Sequence, residues 1–210
     1  MYPQLISNIV PYIDKNDLYN FCRIGNIYYQ VCQERINLEK AIKIGWNKLA
    51  ENGNIEFIKL LHKYNFKGCT IWAMVLAAKN GHLDIIKWLH ENREEGCTFR
   101  AMNLAAKNGH LDIVKWLHEN RTEGCAEWAM KLAAKYGHLE IVKFLHENRE
   151  EGCTTYAMNS AARNGHLDVI KWLHENRREG CTISAMDYAT KNGHIDIVNF
   201  LKKTEKNNLI

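Results

Sequence analysis

Seven cysteines and ten histidines hold most of the capacity for chemistry in this 210-residue chain. Thiols and imidazoles could form disulfides, hold zinc or move protons. Their spacing decides among these. Cys69, Cys97, Cys125, Cys153 and Cys181 are each 28 residues apart. His82, His110, His138, His166 and His194 keep the same step, and so do His90, His118, His146 and His174. A catalytic residue is normally unique, whereas these recur copy after copy, so an enzyme is not expected. A disulfide needs Cα atoms within about 7 Å, but stacked copies sit about 10 Å apart. No Cys-x₂₋₄-Cys pair of the kind that holds structural zinc occurs. The cysteines are therefore expected to be small, buried, reduced thiols packed between copies, with no metal or cofactor. Seven thiols without an export signal fit a reducing compartment. Each glycine stands alone as a helix stop, so no phosphate-cradling loop is present.

The same step organises the rest of the chain. Met74, Met102, Met130, Met158 and Met186 follow it, as do Gly53, Gly81, Gly109, Gly137, Gly165 and Gly193. A period of this length marks a solenoid. Five clear copies start at the five cysteines, and a divergent sixth, 41–68, precedes them. It keeps Ala50, Gly53, Ile55, Ile58, Leu60, Leu61 and His62 in register. The array then divides into 41–68, 69–96, 97–124, 125–152, 153–180 and 181–208.

Each copy reads as two short helices. The first spans about Thr98 to Asn108, with Thr98 as N-cap and Ala101, Met102, Leu104, Ala105 and Ala106 on one apolar face. Gly109 ends it in the left-handed conformation. The second runs from about Leu111 to Asn120, with Leu111, Ile113, Val114, Trp116 and Leu117 facing inward and Asp112 favoured by the helix dipole. Neither helix buries its face alone, so copies must stack. The last copy exchanges the Lys-Trp-Leu-His-Glu-Asn-Arg ending of its predecessors for Asn199 to Lys206, as a polar terminal cap requires.

The run from Leu104 to Leu117, LAAKNGHLDIVKWL, resembles the ankyrin repeat, over about 41–208. The resemblance implies an all-α ankyrin-repeat solenoid of helix-turn-helix units and a non-enzymatic protein-binding role. It also implies that the His after each helix-stopping Gly bridges loop backbones. Two features depart from the family pattern. The usual T-P-L-H opening is replaced by Arg100-Ala101-Met102-Asn103 and its counterparts, and the period is 28 rather than 33. The inter-repeat loops should be shortened and their projecting β-fingers reduced or missing. Six copies at about 10 Å each predict a rod near 60 Å long.

Copies agree in their core columns and differ just around the Ala-Met pair. One variable column holds Ile71, Phe99, Glu127, Thr155 and Ile183. The next holds Trp72, Arg100, Trp128, Tyr156 and Ser184. A third holds Val75, Asn103, Lys131, Asn159 and Asp187. Trp, Tyr and Arg dominate protein–protein hot spots. The expected target-binding stripe is Trp72, Arg100, Trp128 and Tyr156, flanked by Phe99, Glu127, Asn103 and Lys131. The competing expectation is that some of these aromatics pack beneath the shortened turns.

Residues 1–40 lack the Cys-x-x-x-Ala-Met signature. The segment from Pro3 to Asp14, with Asp17-Leu18-Tyr19 and Tyr28-Tyr29 after it, resembles an F-box, with Tyr2-Pro3 at the entry and tyrosines where that family usually has Trp. The resemblance implies docking of Pro3, Leu5, Ile6, Ile9, Ile13 and Leu18 on a Skp-type linker subunit of a cullin ubiquitin ligase. A second reading stands beside it. Gly25-Asn26-Ile27 lies 28 residues before Gly53-Asn54-Ile55, as in a decayed repeat behind a capping helix.

Charge and composition bound the remaining options. Lys and Arg number 28 against 24 Asp and Glu, a net charge of +4 that reads as spread out without a basic stripe, so nucleic acid is not an expected partner. Uncharged stretches such as Met1–Ile13 and Gly68–Ala78 are too short to span a bilayer. Met1–Ile13 lacks a basic start and carries Pro11, so no secretory signal is expected. The expected state is a cytoplasmic monomer. Lys, Ile and Asn total 61 residues, a bias that suggests an AT-rich genome. With the near-identical copies, it resembles the expanded ankyrin paralogues of giant DNA viruses, which would place the protein in an infected host's cytoplasm.

Overall fold

A computed structural model of the chain describes residues 26–122, 127–148, 155–176 and 183–207. Among them are thirteen α-helices and no strand. In chain order these are α1 (Asn26–Ile44), α2 (Trp46–Glu51), α3 (Ile55–Lys63), α4 (Ile71–Asn80), α5 (Leu83–Asn92), α6 (Phe99–Asn108) and α7 (Leu111–Asn120). They continue with α8 (Glu127–Lys135), α9 (Leu139–Asn148), α10 (Thr155–Asn164), α11 (Leu167–Asn176), α12 (Ile183–Lys191) and α13 (Ile195–Asn207).

Local chemistry sets the helix limits. The Thr70 and Thr98 hydroxyls accept from the backbone N–H of Trp72 and Arg100, each at 3.3 Å. Those N–H groups belong to the first turn and have no partner within the helix. Gly81 and Gly109 then end α4 and α6 at φ of 85° and 82°. Two residues later the second helix begins, so the hairpin is tight.

The copies stack as two layers. First helices α2, α4, α6, α8, α10 and α12 pack side by side in sequence, and the second helices α7, α9, α11 and α13 do likewise. The first-helix layer is lined by small residues. Ala101, Ala105 and Ala106 are fully buried and Met102 nearly so, which lets neighbouring backbones approach closely. The second helices supply the branched bulk. Ile113, Val114 and Leu117 are buried, and each contributes about 2 kcal/mol. Leu104, Leu111 and Trp116 are partly buried against this core. The connection 93–98 between α5 and α6 is irregular, with no β-finger.

The N-terminal end departs from this pattern. Helix α2 has only six residues, and Trp46 takes the place of the methionine 28 positions later. It is buried, with the Arg93 guanidinium 5.0 Å from its ring centroid. Helix α1 runs without a break through residue 40, and its Leu38 and Ala41 join the common core.

The proposed F-box docking residues Pro3, Leu5, Ile6, Ile9, Ile13 and Leu18 lie outside the described residues.

Candidate functional site

The chemistry-capable ladders have structural partners. Each histidine of the first ladder reaches back one copy. His82, His110, His138, His166 and His194 place Nε2 2.9–3.2 Å from the carbonyls of Glu51, Lys79, Lys107, Lys135 and Arg163. A carbonyl only accepts, so the imidazole N–H donates. The loop-bridging role implied by the ankyrin resemblance is what these rings do. Asn80 and Asn108 donate to the same carbonyls of Glu51 and Lys79.

The second ladder plays a part that its sequence position did not reveal. His90, His118, His146 and His174 occupy the last turns of their helices. Each ring, together with His62, also stands edge-on against an aromatic ring of the next copy. The partners of His62, His90, His118, His146 and His174 are Trp88, Trp116, Phe144, Trp172 and Phe200, at 5.1–5.7 Å between centroids. T-shaped pairs of this kind favour a defined stacking register.

Cys69 is not poised as a nucleophile. Cys97 is buried and Cys69 half-buried, and neither forms a disulfide among the described residues. Burial, and then the Glu95 carboxylate, push the Cys69 thiol up to about 11. The hydrogen bond from Arg93 holds Glu95 below the usual carboxylate range. Among the described residues no three His, Cys, Asp or Glu side chains are grouped to hold a metal ion.

The variable columns lie on the first helices. Trp72, Phe99, Trp128 and Tyr156 are exposed at 42%, 46%, 55% and 59%. They do not pack beneath the turns. Cations stack on Trp72, Trp128 and Tyr156. The Arg100 guanidinium lies 5.6 Å from the Trp72 ring centroid, and Lys131 Nζ lies 4.2 Å from that of Trp128 and 5.1 Å from that of Tyr156. Lys131 thereby ties α8 to α10, and the stripe of Trp72, Arg100, Trp128, Lys131 and Tyr156 shares one face. Glu127 begins α8, with its side chain outside the description. Asn103 leaves the stripe. It is buried at 8% exposed, like Val75 one copy earlier.

One expectation needs correction. The charge is not evenly spread. The first helices α4, α6, α8, α10 and α12 hold seven basic residues, Lys79, Arg100, Lys107, Lys131, Lys135, Arg163 and Lys191, against only Glu127 and Asp187. The second helices α5, α7, α9 and α11 hold eight acidic residues against Lys87, Lys115, Lys143 and Lys171, whereas the terminal α13 carries Lys202, Lys203 and Lys206 against Asp196 and Glu205. The column Lys79, Lys107, Lys135, Arg163, Lys191 was visible at the 28-residue step, but it disappears when charge is summed over both layers. Between α8, α10 and α12 this basic edge meets the aromatic stripe in a groove of about 570 Å³, lined by Lys131, Lys135, Tyr156, Arg163 and Tyr188 among others. None of Lys131, Lys135 and Arg163 forms an ion pair among the described residues.

Stacked helical hairpins with side-chain-to-carbonyl bridges between successive turns, and with variable exposed side chains along the first helices, define a repeat solenoid of the binding class. The family model for ankyrin repeats (3 copies) matches residues 47–127 and 130–209, and the chain belongs to the ankyrin-repeat family. No curated protein matches the chain. Among the described residues no helix is long and apolar enough to cross a membrane. Ankyrin repeats support a protein–protein interaction scaffold.

Proposed function

We propose that the chain is a non-enzymatic adaptor whose first-helix stripe captures a target protein. The observation that carries this reading is the row of exposed aromatics Trp72, Phe99, Trp128 and Tyr156, with cations stacked on Trp72, Trp128 and Tyr156. Large rings left in water on a rigid layer lose little conformational entropy on binding. The test compares the proteins captured by wild type and by Trp128→Ala/Tyr156→Ala from a host-cell lysate. The double variant should lose the captured partner while keeping its helical signal and melting midpoint. Equal capture by both overturns the reading.

In the sharper form the N-terminal forty residues dock on a Skp-type linker subunit and deliver the captured target to a cullin ubiquitin ligase, in the cytoplasm or, for a viral protein, in the host's cytoplasm. A pull-down with that subunit, and its loss on Ile6→Asp/Ile9→Asp, tests it.

A second reading has an observation of its own in favour. Helix α1 begins at Asn26, 28 residues before Asn54 at the N-cap of α3. Glu34 of α1 bonds Lys63 and accepts from the Tyr64 hydroxyl at 3.2 Å. A decayed repeat would pack in this way, and the protein would then be a plain binding or decoy ankyrin protein without ligase coupling. Failure to bind the Skp-type subunit leaves this reading standing.

A further inference from the structure

The charge division between the layers calls for a cause. Helix dipoles favour cations in a last turn, which would account for Lys79, Lys107, Lys135, Arg163 and Lys191 on their own. On the second helices the same rule accounts for Asp84, Asp112, Glu140 and Asp168 in first turns and for His90, His118, His146 and His174 in last turns, but it leaves four glutamates over. Their last turns carry Glu91, Glu119, Glu147 and Glu175, against the dipole. Lys131 lies mid-helix and between two exposed rings, where no dipole argument places it. Helix ends therefore explain much of the charge pattern, but not Lys131 or these four glutamates.

Resting on the scaffold reading above, we infer that the captured segment is an acidic peptide stretch, laid in extended form across the first helices with its carboxylates on the Lys131, Lys135 and Arg163 cations. Charge complementarity selects the sign, and the rings of Tyr156 and Tyr188 take the apolar parts of the chain. Geometry selects the spacing. Along the column Lys107, Lys135, Arg163 and Lys191, stacked helices present one basic side chain about every 10 Å. A polyproline-type strand returns to the same face every third residue, after about 9 Å. Acidic residues three apart would therefore meet successive copies. A fully pleated strand, with its period of two, would drift out of step. Nucleic acid fits less well. The cations are diluted by exposed aromatic columns rather than set in a continuous basic stripe.

The test measures fluorescence anisotropy of the full chain with three labelled synthetic peptides of equal length. One carries Glu at every third position, one the same Glu residues in a single block, and one Lys at every third position. The spaced-Glu peptide should bind saturably at low salt, about tenfold tighter than the block, and not be displaced by poly(U). Lys135→Glu/Arg163→Glu should weaken it by about tenfold or more, whereas Lys87→Glu/Lys171→Glu on the second helices should not. If the charge reversals impair folding, Lys135→Gln/Arg163→Gln replaces them, with a smaller loss expected. No saturable binding, equal binding of the Lys peptide, or tighter binding of poly(U) overturns the inference. Partner capture that depends on Trp128 and Tyr156 but survives Lys135→Glu/Arg163→Glu overturns this inference alone and leaves the scaffold reading intact.

Discussion

The imidazole of His110 lies against Gly81 of the preceding copy. A Cβ added to Gly81 would meet His110 Cε1 at 2.8 Å, while His110 Nε2 donates to the Lys79 carbonyl at 3.1 Å. The glycine therefore answers two demands, a φ of +85° and a ring pressed against it. Gly193 answers only the first, with a φ of +75° and nothing within 4 Å of an added Cβ. Gly193→Ala should cost about 1 kcal/mol, the strain of a left-handed alanine. Gly81→Ala should cost about 3 kcal/mol, because the histidine must also move and weaken its bond. Thermal melts of the two variants check this, and equal losses would show that backbone strain is the whole effect.

Asn103 occupies a column that holds Val75 one copy earlier. Its Oδ1 is buried without a partner among the described residues. Leaving an amide oxygen dry and unpaired costs about 1–3 kcal/mol. Asn103→Val should raise stability by about 1 kcal/mol, as a higher urea midpoint at unchanged helical signal. If the target bonds this amide through a small adjustment of α6, the same variant weakens capture, and anisotropy titration separates the two effects.

The Asn103 column also shows where sequence reading stops. Helix limits were legible to within a residue, because Thr98 and Gly109 act on their own turns. The His110 bridge followed from the ankyrin resemblance, and the exposed aromatics followed from variation against a fixed core. Burial of Asn103 did not follow, because the neighbouring copy decides it. The edge-on pairing of His90 with Trp116 was hidden for the same reason. Those two residues are 26 apart, so the pair matches neither the repeat step nor a helical turn, and only the stacking of second helices brings them together.

That stacking predicts a graded response at Trp116. The array itself uses both Trp and Phe in this column, with Phe144 and Phe200 against His118 and His174. Trp116→Phe keeps an aromatic ring for the His90 edge to meet and should cost under about 1 kcal/mol. Trp116→Ala loses the ring pair and opens a void beside the core, for about 3 kcal/mol. Melting midpoints should fall in that order, and a Phe variant as damaging as Ala would mean that the indole N–H is what matters.

Tyr64 gives the N-terminal junction an alkaline signature. Burial first, then the Glu34 charge and the bond to its carboxylate, push the Tyr64 hydroxyl up from its ordinary 10.0 to about 12. The folded chain thus holds this proton more tightly than the unfolded chain. By linkage, the stabilisation is fully present below about pH 10 and is lost as pH rises toward 12. Glu34 belongs to α1 and Tyr64 follows α3, so the loss reports the seating of the first helix on the array. Tyr64→Phe removes both the bond and the titration. It should be less stable than wild type at pH 8, and the gap should narrow as pH is raised to about 11. Thermal melts across that range check the slope. A gap that stays constant would mean that Tyr64 contributes by packing alone.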